Sequence, residues 1–567
     1  MKKLVSVILI LIAQCSYSQG DVSSYPTNYF SNPLDIPLVL SGTFGELRTN
    51  HFHAGLDIKT LQKEGLNVIA AANGYVSRIK VSLWGYGKVI YVKHPNGYTT
   101  VYAHLQKFND RIESYIKKQQ YKKESFEIQL FPGANELPVT KDEIIAFSGS
   151  TGGFVGPHLH FEIRDSKTEK PINPFYFGIQ VSDSKKPRLN NLMGYSLNAN
   201  SHINKVNVPV QLSYRKLENG DYLANKINAF GSIGFGVNVY DQLDGAYNKN
   251  GIYSLTMAVN GKKVHEFKAS SFAFSETKYI NLLVDYNRLE KLNQRVQKTF
   301  TEPSNKLNMY PVSINNGFIT VEDGLTYSID IVAKDFEGNQ QKITIPVVGK
   351  KDTTTVSKPI VKTPYKIKKA EFNKFTQDGV TVAFPKNTFY TDFYLDFKVE
   401  NGIAKVHTPT LPLDRKYTLT FDVSKFSEIE KKQLYIASIK KNGNTSYQKT
   451  VKKETTFYTT TKNLGTYTLK KDTFKPSVKL HNVKNEQWLT HFKNLQVKIS
   501  DKGSGIKSYR GEIDGKWILM EYNVKSGLLT YDFNDQVFSE AKHNLKVTVT
   551  DNVGNTTTLT STFFRKK

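Results

Sequence analysis

Gly156-Pro157-His158-Leu159-His160-Phe161-Glu162-Ile163 decides how the N-terminal third of the chain is read. As a strand it alternates with period two: His158, His160 and Glu162 share one face, and Leu159, Phe161 and Ile163 the other. About a hundred residues upstream, His51-Phe52-His53-Ala54-Gly55-Leu56-Asp57-Ile58 repeats the pattern. There His53, Gly55 and Asp57 face one way and Phe52, Ala54, Leu56 and Ile58 the other. The His53/Asp57 spacing also suits one face of a helix, but Gly55 between them weakens that reading. Two strands thus present imidazoles and a carboxylate on polar faces, backed by apolar faces that can bury. That is how a sheet builds a rigid metal site.

Working outward, Val68 to Ala72, Val76 to Val81 and Lys88 to Lys93 read as successive strands. His94-Pro95-Asn96-Gly97 is a turn, and Tyr98 to Leu105 returns from it with Thr100, Tyr102 and His104 on one face. Zinc takes imidazole nitrogen and carboxylate oxygen readily, and a catalytic zinc keeps three protein ligands and an open position. The candidates are His53, Asp57, His158 and His160, with His104 from the hairpin; spacing alone does not select three of them. Glu162 reads either as a carboxylate orienting an imidazole or as the partner of a lysine or arginine. His51 reads as a polar surface residue, His94 as a turn residue without chemistry, and Tyr102 as packing.

Three motifs in order, His53-Ala54-Gly55-Leu56-Asp57, Tyr102-Ala103-His104-Leu105 and Gly156-Pro157-His158-Leu159-His160-Phe161, resemble the lysostaphin-type zinc metallopeptidases, which cut peptide cross-links in bacterial cell walls. The resemblance spans roughly residues 40 to 166. It implies a Zn2+ cofactor held by His53, Asp57 and His160. It further implies that His158 takes a proton from the attacking water, and that His104 orients the water or stabilises the oxyanion. Degenerate members of such families typically lose a ligand or a catalytic histidine, and here the set is complete. The expected activity is therefore a zinc endopeptidase acting on peptidoglycan. The alternatives are a non-catalytic wall-binding or regulatory protein, or a peptidase for a protein substrate.

The stretch between His104 and His158 is longer than in a minimal member. Arg111 to Gln120 is expected as a helix capped by Asn109 or Asp110, with Ile112, Tyr115 and Ile116 on one side. Phe126, Ile128 and Leu130 alternate as a strand would. This insertion reads equally as a flap walling the groove or as a structural elaboration. Gly149-Ser150-Thr151-Gly152-Gly153 is a flexible turn before His158.

At the start, Met1-Lys2-Lys3, an apolar run from Leu4 to Ala13 broken only by Ser6, and Ser16-Tyr17-Ser18 read as a secretory signal, residues 1–18, cleaved before Gln19. Cys15 invites lipidation, but Gln14 before it fits poorly. Cys15 is the only cysteine, so a processed chain has neither disulfide nor thiolate, and histidine and carboxylate must hold any metal. The net charge is +26, or +24 without Lys2 and Lys3. It suits anionic wall polymers or membrane surfaces, but reads foremost as a lysine-rich solvated surface. An exported chain without a recognisable binding module excludes nucleic acid as partner. No second apolar stretch would span a membrane, so the periplasm or cell envelope, or secretion, is expected.

The fold class expected is mainly β: an antiparallel-sheet lysostaphin-like peptidase domain over 19–180, followed by several β-sandwich, immunoglobulin-like domains. These are 186–349, with a helix over Tyr286 to Lys298; 370–471, after a semi-rigid linker of 350–369; and 476–567. Tyr327, Ile329, Ile331 and Ala333 alternate towards Asp335-Phe336-Glu337-Gly338-Asn339, and Leu545, Val547 and Val549 towards Asp551-Asn552-Val553-Gly554-Asn555. Leu495, Val497 and Ile499 lead likewise into Asp501-Lys502-Gly503-Ser504-Gly505, a strand-and-turn ending that resembles bacterial immunoglobulin-like sandwiches. These acidic segments read as tight turns, with calcium binding the alternative. The β domains would hold the enzyme at the wall, recruit envelope partners or cover the groove.

Overall fold

His158–Asp165 forms a single strand, and it lies inside an antiparallel sheet rather than at its edge. In the computed structural model, which describes residues 25–153, 156–352, 356 and 359–566, the sheet runs Leu40–Gly42, Leu56–Lys59, His158–Asp165, Tyr98–Ala103, Lys88–Lys93, Gly74–Val81, Ile128–Leu130. Register places His160 opposite Asp57 on one side and opposite Ala103 on the other. The apolar face, with Leu56, Ile58, Leu159, Phe161 and Ile163, is fully buried. The face bearing His158, His160 and Glu162 is buried as well, so it is a covered polar interior and not an exposed surface.

Two of the expected strands are interrupted. His51–Phe52 and Leu56–Lys59 are separate strands joined by a bend over 53–55. A Cβ at Gly55 would meet the Phe161 carbonyl oxygen at 2.2 Å, so only glycine lets the bend pass this close to the central strand. His104 is likewise not part of a strand. Tyr98–Ala103 ends before it, Leu105–Phe108 begins after it in a separate three-stranded sheet, and His104 stands at the corner with φ 60°.

The insertion helix runs over Asp110–Lys123, with Asn109 Oδ1 accepting from the Ile112 amide at 2.9 Å and Ile112 and Ile116 buried. The strand Ile128–Leu130 extends the main sheet beside Gly74–Val81. The outer side of the helix carries the last part of the chain. Lys117 pairs with Asp535 at 2.6 Å, the Tyr121 hydroxyl donates to Asp535 at 3.0 Å, and Trp517 packs edge-on against Tyr121. Arg510 reaches Glu124 at 2.7 Å, and buried Lys88 reaches Glu521 at 2.9 Å. Lys525 donates to the Ser150 carbonyl at 2.7 Å.

The chain is β-rich throughout: strands make up 46% of the described residues and helices 8%. The expected helix Tyr286 to Lys298 covers only Tyr286–Leu292, because Asn293 turns left-handed (φ 53°) and Gln297–Lys298 pairs as a strand. Five-stranded sheets over 373–471 enclose Val382, Phe384, Leu419 and Tyr467. Four- and five-stranded sheets over 477–564 enclose Val497, Leu529, Tyr531 and Val547. The signal stretch, Cys15 and Thr353-Thr354-Thr355 lie outside the described residues. Among the described residues no helix is long and apolar enough to cross a membrane.

His94 is a packing residue. Its ring is buried, with Nδ1 on the Asn73 carbonyl and Nε2 on Thr100 Oγ1, both at 2.8 Å, and burial lowers it to about 4. The unfolded chain protonates His94 near its ordinary value while the folded chain resists until about 4. Stability is therefore present above pH 6.5 and lost as pH falls towards 4. Between pH 7 and about pH 4.5 this group is expected to remove roughly 2–3 kcal/mol. Urea unfolding across that interval checks it, His94→Gln flattening the decline.

Candidate metal centre

The pairing that sets His160 opposite Asp57, together with the bend that delivers His53, brings three ligand atoms to one point. His53 Nε2 lies 3.0 Å from Asp57 Oδ1 and 3.0 Å from His160 Nδ1, and His160 Nδ1 lies 2.9 Å from Asp57 Oδ1. All three residues are buried. Two imidazole nitrogens and a carboxylate oxygen converging this closely are the donor set a divalent zinc-like cation fits.

Two more of the expected residues border the trio. His158 Nε2 is 3.7 Å from Asp57 Oδ1, and the His104 ring centre is 4.7 Å from that of His158 and 5.9 Å from that of His160. His51 is not among them; it is exposed, with Nδ1 on the Thr49 carbonyl.

Residues 51–121 match Peptidase family M23, a span that includes His53, Asp57 and His104, with His158 and His160 beyond it. The chain carries a lysostaphin-type M23 peptidase domain. DD-carboxypeptidase/endopeptidase Mpg of Neisseria meningitidis is 34% identical over 128 residues, 23% of this chain and 23% of that protein. An uncharacterized metalloprotease of Haemophilus influenzae is 36% identical over 122 residues, 22% of this chain and 20% of that protein. The chain thus spans about a quarter of the length of these curated relatives. Among solved structures, the catalytic domain of lysostaphin from Staphylococcus simulans aligns at 23% identity and a TM-score of 0.18, covering 24% of this chain and 90% of that one. Residues 364–472 match a Zu5-like domain.

Behind the trio, each converging residue has its second polar atom held. His53 Nδ1 donates to the Thr43 carbonyl at 2.8 Å, Asp57 Oδ2 accepts from Arg48 at 2.7 Å, and His160 Nε2 meets Glu162 Oε1 at 2.8 Å. Glu162, fully buried, also accepts from Arg164 Nε at 2.6 Å and from the Tyr86 hydroxyl. Both readings of Glu162 therefore hold at once: it orients an imidazole and pairs with an arginine. Burial alone would raise Glu162, but Arg164 and His160 bring it down to about 2. Burial would likewise raise Asp57, and His53 and His160 hold it well below the usual carboxylate range. Burial would lower His160, yet Asp57 and Glu162 raise it to about 9. Without a cation the His160 ring thus keeps a positive charge between Asp57 and Glu162. Burial, with His160 and His158 adding repulsion, lowers His104 to about 3.

Sequence reading missed Arg48, Tyr86, Thr43 and Thr151. Arg164 continues the alternation 158, 160, 162 and was within reach of it. Arg48 stands in a strand of two residues, Leu47–Arg48, too short to show a period, and Tyr86 in a turn.

Among the described residues Arg164 pairs with two acids, Glu162 and Glu169, and of these Glu162 is fully buried. Glu162→Gln therefore leaves the Arg164 charge buried with its remaining partner, Glu169, half-exposed at 3.5 Å. A loss of about 3–5 kcal/mol is expected. Tyr86→Phe, which removes one hydroxyl donor, is expected to cost about 1 kcal/mol. Urea unfolding of both variants checks the order.

Proposed function

We propose that this chain is a zinc-dependent endopeptidase hydrolysing the peptide cross-links of bacterial peptidoglycan, exported to the periplasm or cell envelope. The observation that carries the reading is the direction of its imidazoles. Four rings have one nitrogen committed behind them: His53 to Thr43 O, His104 to Thr151 O, His158 to Gly156 O and His160 to Glu162. A carbonyl only accepts, so in each of the first three the rear nitrogen carries the proton and the forward nitrogen offers a lone pair. His53 and His160, with Asp57, would hold the metal.

Bound zinc would supply Lewis acidity, polarising a peptide carbonyl and lowering the pKa of water to about 7. The remaining work falls to the chain. His158, its ring lowered chiefly by burial, is neutral near pH 7 and is placed to take the proton of the attacking water at Nε2. It would return that proton to the departing amine. His104, donating at Nδ1 to Thr151 at 2.9 Å, has an accepting Nε2. That tautomer suits orienting the water; donating to an oxyanion would need a second proton, which its lowered pKa opposes. The completeness of the set favours an enzyme over a non-catalytic wall-binding protein.

Muropeptide analysis of purified sacculi treated with the chain from Gln19 onward tests the reading. New uncross-linked products are expected, absent with chelator and with His158→Ala. His160→Ala should lose zinc, while His158→Ala keeps it and loses about 10²–10⁴ in turnover. Equal metal loss in both variants would refute this division of roles, and unchanged sacculi would refute the substrate.

A further inference from the structure

Two carboxylate triads built to one plan lie outside the peptidase centre. Asp183, Asp241 and Asp335 bring one oxygen each within 4.8 Å of the others, and so do Asp472, Asp501 and Asp551. The members correspond. Asp183 and Asp472 precede the strands Arg188–Ser196 and Ser477–Leu480. Asp241 and Asp501 directly follow Ile227–Tyr240 and Asn494–Ser500. Asp335 and Asp551 stand at the ends of Thr326–Lys334 and Lys542–Asp551 and open the x-x-Gly-Asn turns. The asparagine of each turn donates back to the first member, Asn339 to Asp183 O at 3.1 Å and Asn555 to Asp472 O at 3.3 Å.

Tight turns account for only part of this. Asp335 Oδ1 accepts from the amides of Gly338 and Asn339, and Asp501 Oδ2 from those of Gly503 and Gly505. The other oxygens, Asp335 Oδ2 and Asp501 Oδ1, are buried and take no hydrogen bond among the described residues, and the same holds for Asp241 Oδ1. Asp241 is only 2% exposed and Asp335 4%. No ion pair among the described residues reaches any of the six, in a chain whose net charge is +26; Lys185, two residues from Asp183, turns to Asp244 instead. Buried carboxylates without a counter-charge are costly, and protein interiors supply a cation or a proton to them. The first triad also lines a cavity of about 20 Å³, room for one ion.

We propose that each triad binds one calcium ion, and that the two ions fasten successive parts of the chain to each other. The donors are all oxygen, with neither imidazole nor thiolate, which selects a hard cation over zinc; calcium takes further carbonyl or water oxygens to complete its shell. The first cavity is shared with Thr43, Phe44, Asn173 and Phe175 of the M23 domain, so its ion ties that domain to the sheet that follows. In the second triad, Asp472 ends the Zu5-like match while Asp501 and Asp551 belong to the last sheets.

Full-length protein stripped with EDTA, reloaded with one equivalent of zinc and titrated calorimetrically with Ca2+ tests this, with Mg2+ in parallel. Two calcium ions per chain and a higher melting temperature in calcium are expected. Asp335→Asn and Asp551→Asn keep an oxygen for the turn amides, and each should weaken one site on the order of tenfold or more while sparing the other. Fewer than two ions bound at millimolar calcium, or two bound with unaltered affinity by the double variant, overturns the proposal. The wild-type stoichiometry needs no variant, so a substitution that misfolds leaves the test intact.

Discussion

The antiparallel pairing of Leu56–Lys59 with His158–Asp165 sets Asp57 opposite His160, and the centre depends on that register. A slip by one residue would turn Leu56 or Ile58 into the polar interior and expel the carboxylate. The apolar side guards the register, because Leu56, Ile58, Leu159, Phe161 and Ile163 are all fully buried and none could be turned over without loss. Gly55 completes the constraint from the other direction, admitting His53 at a point where any side chain would strike the central strand.

A polar face buried inside a sheet is tolerable only when its members satisfy one another. Here they do so in a chain that runs from Arg48 through Asp57 and His160 to Glu162, Arg164 and Tyr86. The charges alternate along it, so desolvation and attraction oppose each other at every step. The neighbouring rings take their tautomers from the backbone instead, His53 from the Thr43 carbonyl and His104 from the Thr151 carbonyl, so packing has become a chemical instruction.

Much of this was legible in the sequence because period-two alternation is a local property. The central strand, the hairpin with its His94-Pro95-Asn96-Gly97 turn and the Asn109 cap all follow from neighbours within a few residues. What was not legible depends on residues far away. The bend over 53–55 exists because Phe161 lies across it, and the corner at His104 because the chain passes there from one sheet to another. Burial of His94 is set by Asn73 and Thr100, and the early end of the Tyr286 helix by a left-handed Asn293 that propensity alone does not demand. Arg48 and Tyr86 lie in segments without a period, so only the folded arrangement reveals them.

The docking of the last sheets on the peptidase sheet and its insertion helix closes the polypeptide into a ring, since Lys88 meets Glu521 and Glu124 meets Arg510 across 433 and 386 residues of chain. A nick in the 350–369 segment would leave the two halves attached. Their separation would then be governed by ionic strength, because Glu521, Glu124 and Arg510 are all partly open to solvent and screened by salt. The edge-on contact of Trp517 with Tyr121 is indifferent to salt and would hold longest.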